Sequence, residues 1–180
     1  MKTQHGFSLF ELVVVAVVIG ILASVGLEYY SQAIEESHRV GVEAQASNFT
    51  TAVAGVHTQW LLDSVKSRVS RVEIDGLQFY VSKRGWPAHV NVRGTKKKGK
   101  KSGKNWESSQ NCYDLWISLL QNPTPATVEG NDQWGKYDYH ISAVGGEFCR
   151  YELTVKPKGS HFFDYVLGTG QVFVTVPPRE

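Results

Sequence analysis

Phe7 to Leu27 reads FSLFELVVVAVVIGILASVGL, 21 residues with a single charge, Glu11. As a helix rising about 1.5 Å per residue, this stretch is roughly 31 Å long, the thickness of a bilayer core. Three readings compete for it. A secretory signal peptide has a basic start and a shorter apolar run ending at a small-x-small cleavage site. Lys2 and His5 supply a thin basic start, but the run is long and no such site follows it. A plain signal anchor fits the length and leaves Glu11 unexplained. A carboxylate at the centre of a membrane segment costs about 2.5–3.5 kcal/mol on insertion scales and less near an interface. Glu11 lies near the outer end of the run, so it is either a carboxylate that snorkels to the headgroups or a functional residue. Elsewhere the chain is ordinary: 42% hydrophobic and 20% charged residues exclude a disordered chain and a multi-span membrane protein.

The longer string KTQHGFSLFELVVVAVVIGILA resembles the class III signal of type IV pilins and type II secretion pseudopilins. In that family a polar leader ends in Gly. A prepilin peptidase cuts after it and N-methylates the new terminus. The resemblance implies cleavage between Gly6 and Phe7, with Phe7 methylated. It places Glu11 on the family's glutamate and Gly20 on a glycine common in its apolar helix. Glu28 stands where many members have a helix-kinking proline. The family's account of Glu11 is physically sound. Subunits stack their apolar helices in a shared core, and a buried carboxylate there needs a cation. The new amine of a neighbouring Phe7 supplies it, so Glu11 sets the register between subunits.

No proline interrupts the chain from Glu28 to Arg68. Val42, Ala46, Phe49, Val53, Val56 and Trp60 recur in steps of four and three, the spacing of one helix face. Glu35, Glu36, Arg39, Glu43 and Gln45 fill the other side. The helix is expected to run from Phe7 to Arg68, up to about 90 Å. Its stripe is expected to pack on the protein's own sheet. Asn48-Phe49-Thr50 fits the N-glycosylation pattern, which arises often by chance.

Asp75-Gly76 lies between the alternating runs Val72–Ile74 and Leu77–Val81, a hairpin signal. Gly85-Trp86-Pro87 is expected to break the chain. VEIDGLQFYVSKRGWP is also similar to the segment after the helix in pilins of the mannose-sensitive haemagglutinin (MSHA) type. Cys112, Tyr113, Leu115, Trp116, Leu119 and Leu120 predict a short amphipathic helix within Asn105–Leu120, closed by Asn122-Pro123-Thr124-Pro125. Four runs of period 2 follow: Lys136–Val144, Glu147–Lys156, His161–Leu167 and Gln171–Val176. They predict an antiparallel meander of three to four strands. Layer packing then makes an α+β head with the long helix against the sheet, which is also the fold that the resemblance implies.

The overall charge of +2 is uninformative; its distribution is not. Arg93, Lys96, Lys97, Lys98, Lys100, Lys101 and Lys104 put seven positive charges in twelve residues, leaving −5 on the rest. Such a run is a loop. It is either solvated surface or a docking surface for DNA, an anionic polysaccharide or an acidic partner. Trp86 and Trp106 flank it, and aromatic stacking beside a basic groove would suit single strands.

Cys112 and Cys149 form one disulfide or remain two buried thiols. The apolar segment places the head outside the cytoplasm, where disulfides persist. The resemblance implies that the two bound a variable C-terminal loop, 112–149. Six histidines show no metal-ligand spacing, and no nucleophile elbow or phosphate-binding glycine loop is present. Asp132, Asp138 and Asp164 are too sparse for a calcium site. The sequence therefore predicts a non-enzymatic chain without cofactor or metal. Its expected organisation is a leader 1–6, a membrane or filament-core helix 7–30, an amphipathic continuation 31–68 and a head 69–180. The resemblance implies a pilin-like subunit, of minor and MSHA type. Its expected partners are other pilin subunits, prepilin peptidase and an inner-membrane assembly platform. Its head would be periplasmic before assembly and extracellular on the pilus. A pilus-tip binding module using the basic loop, and a secretion pseudopilin, are the alternatives.

Overall fold

The computed structural model describes residues 8–64, 70–91, 109–130 and 134–178. Helix α1 spans Leu9–Ser64, close to the expected extent, and residues 65–69 lie outside the described residues. The chain divides into two compact units, Met1–His38 and Arg39–Glu180.

The described part of the first unit is helix alone. Every apolar side chain from Leu9 to Leu27 is exposed, and none of the most apolar window is buried within the chain. By length and composition this helix can cross a membrane.

The second unit buries the stripe read from the sequence: Val42, Ala46, Phe49, Val53 and Val56 are its buried helix residues. The stripe faces two sheets. The first has β1 (Arg71–Ile74), β2 (Leu77–Val81) and β3 (Pro87–Asn91) in that order, all antiparallel. Asp75 (φ 51°) and Gly76 (φ 75°) both take the left-handed conformation that a two-residue hairpin turn demands. Strand β3 corrects an expectation. Gly85-Trp86-Pro87 does not end the local structure, because Pro87 opens an edge strand, a place where its missing N–H does no harm.

Helix α2 (Ser109–Leu119) precedes the second sheet, of β4 (Ala126–Val128), β5 (Tyr139–Val144), β6 (Phe148–Leu153), β7 (Phe162–Val166) and β8 (Val172–Thr175). Strands β5 to β8 form the expected antiparallel meander. The added strand β4 pairs parallel to β5. Three residues give too short an alternation to be read from sequence.

Phe49 sits at the centre of the core. Its ring lies 5.0 Å from Tyr151, 5.3 Å from Tyr165, 5.7 Å from Phe163 and 6.4 Å from Trp116. The polar tips of this aromatic cluster are satisfied by backbone. Tyr151 donates to the Cys112 carbonyl at 3.1 Å, Tyr165 to Pro87 at 2.7 Å, and Trp116 Nε1 to Thr124 at 3.0 Å. These bonds clip the second sheet to α2 and to β3. Burial holds the phenols of Tyr151 and Tyr165 well above the ordinary tyrosine range, and Tyr139 likewise, with the charge of Asp138 adding to it.

Candidate functional site

The first candidate is the start of α1. Gly6 and Phe7, the expected cleavage pair, lie outside the described residues. Glu11 is exposed in the first helical turn. The Ser8 carbonyl accepts the first helical bond, from Leu12 N at 3.1 Å, which makes Ser8 the residue that opens the helix. Ser8-x-x-Glu11 has the spacing of a capping box, a signal the sequence reading did not use. A carboxylate there also opposes the positive end of the helix dipole. No described residue supplies Glu11 with a cation. Gly20 has open space where a side chain would stand.

The second candidate is the head around its disulfide. Cys112 and Cys149 are bonded, with Cα atoms 5.4 Å apart across 37 residues. Both are fully buried, at the junction of α2 and β6. Their covalent tie therefore belongs to the core and not to a reactive surface.

The basic run, Arg93 to Lys104, lies outside the described residues, as does Trp106. Trp86, the other expected stacking platform, is spent elsewhere. Its ring is stacked on His57 at 3.9 Å and 9°. It also lies over Gly170, where a Cβ would stand 2.1 Å from the indole. Trp60 covers Gly85 in the same way, again at 2.1 Å. These two glycines, both at positive φ, are places where an indole meets bare backbone. So Trp86 is a clasp between α1, the β2–β3 turn and the β7–β8 turn, and a nucleic-acid platform loses one of its two aromatic members.

Of the three carboxylates weighed for calcium, Asp132 lies outside the described residues, and Asp138 and Asp164 stand apart. Asp164 holds Arg150 through two bonds of 2.8 Å on the outer face of the second sheet, and this bond keeps the guanidinium pKa above its ordinary value. Asp138 is exposed. Among the described residues no three His, Cys, Asp or Glu side chains gather as a metal site. Asn48 is exposed on the helix, and Thr50 gives its hydroxyl to the Ala46 carbonyl. Gln45, assigned by periodicity to the polar side, reaches Thr124 at 2.9 Å.

Comparison with known proteins bears on the first candidate. The prokaryotic N-terminal methylation motif matches residues 1–27. A chain described as "Probable minor fimbrial protein" from Dichelobacter nodosus is 40% identical over 53 residues, which covers 29% of this chain and 33% of that one. The match thus spans about a third of that relative's length. No solved structure matches. The motif lies on the start of α1, and the head beyond it is α+β.

Proposed function

We propose that this chain is a structural subunit of a type IV pilus, of the minor-pilin kind. Prepilin peptidase cuts it between Gly6 and Phe7 and methylates Phe7. Until assembly the chain waits in the inner membrane as a single-pass protein with its head in the periplasm. Its immediate partners are then other pilin subunits and the inner-membrane assembly platform. The carrying observation is that a helix stretch apolar enough to cross a membrane is wholly exposed in the chain and lies within the match to the methylation motif. Such a stretch needs a second apolar medium, first lipid and then the helices of neighbouring subunits. In the filament, Glu11 pairs with the Phe7 amine of a neighbour, and any other stagger leaves a buried charge unpaired. The likeness to MSHA-type pilins rests on Val72–Pro87 alone. The minor-pilin reading draws on the fimbrial relative.

Glu11→Val tests this reading. Membrane insertion is expected to be intact or improved, because an apolar side chain replaces a carboxylate. Incorporation into filaments is expected to fall sharply. Membrane-fraction and sheared-filament amounts measure the two. Normal incorporation would rule out the register role.

A further inference from the structure

An unbroken helix marks the edge of a bilayer only through its side chains, because its backbone bonds are internal on both sides of that edge. In α1 the apolar run closes with Glu28, Tyr29 and Tyr30, and the polar residues Ser31, Gln32, Glu35 and Glu36 follow. Both phenols stand on the surface of the first unit, Tyr29 77% and Tyr30 63% exposed. The opposite end of the run differs. No Tyr or Trp precedes Tyr29 anywhere in the chain.

A tyrosine has an apolar ring and a polar tip, and both are satisfied at the level of lipid headgroups. Adjacent helix residues differ by only about 1.5 Å in depth and by about 100° around the axis. The two rings therefore share one level and spread over a broad sector. A neighbouring helix would select one face, with residues three and four apart. A pair that selects a level, at the end of a run apolar on all sides, fits a lipid surface.

We propose that Tyr29 and Tyr30 are the interfacial anchor of this chain, seated among the headgroups of the outer leaflet, and that they set the depth of α1 in the bilayer. The proposal rests on the single-pass reading above. The spacing to Glu11 gives it a consequence. Glu11 lies 18 residues before Tyr29, about 27 Å along the helix. The hydrocarbon core is about 30 Å thick. With the tyrosines at the outer boundary, Glu11 comes within reach of the inner one, where a carboxylate costs least. A helix sunk further inward would carry Glu28 into the core, and a helix raised outward would draw Glu11 toward the centre. The inner end has no matching aromatic pair, so a change in bilayer thickness is taken up there.

The full chain, reconstituted in short-, medium- and long-chain phosphatidylcholine vesicles, tests the anchor. Among the described residues no cysteine is free, so one added thiol carries a polarity-sensitive nitrobenzoxadiazole probe. At Ser31→Cys, just past the tyrosines, the emission maximum is expected to stay constant across the three thicknesses. At Leu9→Cys it is expected to move to the blue as the bilayer thickens. Adding Tyr29→Ala and Tyr30→Ala should make the Ser31→Cys probe move to the blue as well, and Tyr29→Trp with Tyr30→Trp should restore its constancy. A Ser31→Cys probe that drifts equally with and without the tyrosines, or stays constant in both, overturns the anchor. A Val18→Cys probe separates the two readings. If it emits as in water, no helix spans the bilayer, and the single-pass reading falls with the proposal; if it emits as in hydrocarbon while the Ser31→Cys result fails, the anchor alone falls.

Discussion

Helix α1 is apolar twice, and its two apolar stretches meet opposite fates. Val42 to Val56 present one narrow stripe, and the chain buries it under two sheets. Leu9 to Leu27 are apolar on all sides, and the chain buries none of them. A stripe can be satisfied by one partner layer; an all-round apolar helix needs to be surrounded. The first stretch therefore holds this protein together, and the second is kept for something outside it.

Substitution on either side of that divide should give unequal results. Phe49→Ala removes the ring at the centre of the aromatic cluster, and large-to-small core changes of this kind cost about 3–5 kcal/mol. The head is expected to melt far lower, or to fail to fold. Ile19→Ala removes an apolar side chain of the exposed stretch and should leave the head's melting temperature unchanged. A loss of head stability from Ile19→Ala would break the comparison. The disulfide belongs to the head side. In the chain-entropy view, closing 37 residues stabilises by about 3–4 kcal/mol. Cys112→Ser and Cys149→Ser should each lower the melting temperature, with little further loss in the double variant. Additive effects would mean that the two act separately.

The smallest expected effect concerns alkali. Burial raises the phenol pKa values of Tyr151 and Tyr165 above the ordinary value of about 10. The unfolded chain then loses these protons first. Stability is intact below pH about 10 and falls as pH rises above it. Tyr151→Phe should cost about 1 kcal/mol at neutral pH, through the lost bond to the Cys112 carbonyl, and should flatten the alkaline fall. Melting curves taken on both sides of pH 10 measure both. An equally steep fall in the variant would remove Tyr151 as a cause.

Local chemistry was legible in the sequence. The stripe on α1, the Asp75-Gly76 turn and the four meander strands follow from periodicity and turn residues, and the structure has them. What sequence missed depends on distant partners. Strand β3 exists because β2 offers it an edge, and β4 because β5 does. Trp86 stands beside the basic run in sequence, yet His57 and Gly170 claim its two contacts in space. The Ser8–Glu11 capping spacing is local too, but it sits inside an apolar run whose length is the stronger signal. For the start of the chain the signal is a linear motif over residues 1–27, which is legible without tertiary context.

That motif carries the central claim, that the exposed apolar stretch is an intermolecular element released by one cut. Intact mass and N-terminal sequencing of the chain recovered from membranes and from sheared filaments test it most directly. The account predicts a mature chain beginning at Phe7 and carrying one methyl group on its amine, and a Gly6→Ala chain that keeps its leader and stays in the membrane. A wild-type chain that retains Met1 to Gly6, or that begins anywhere other than Phe7, would contradict it.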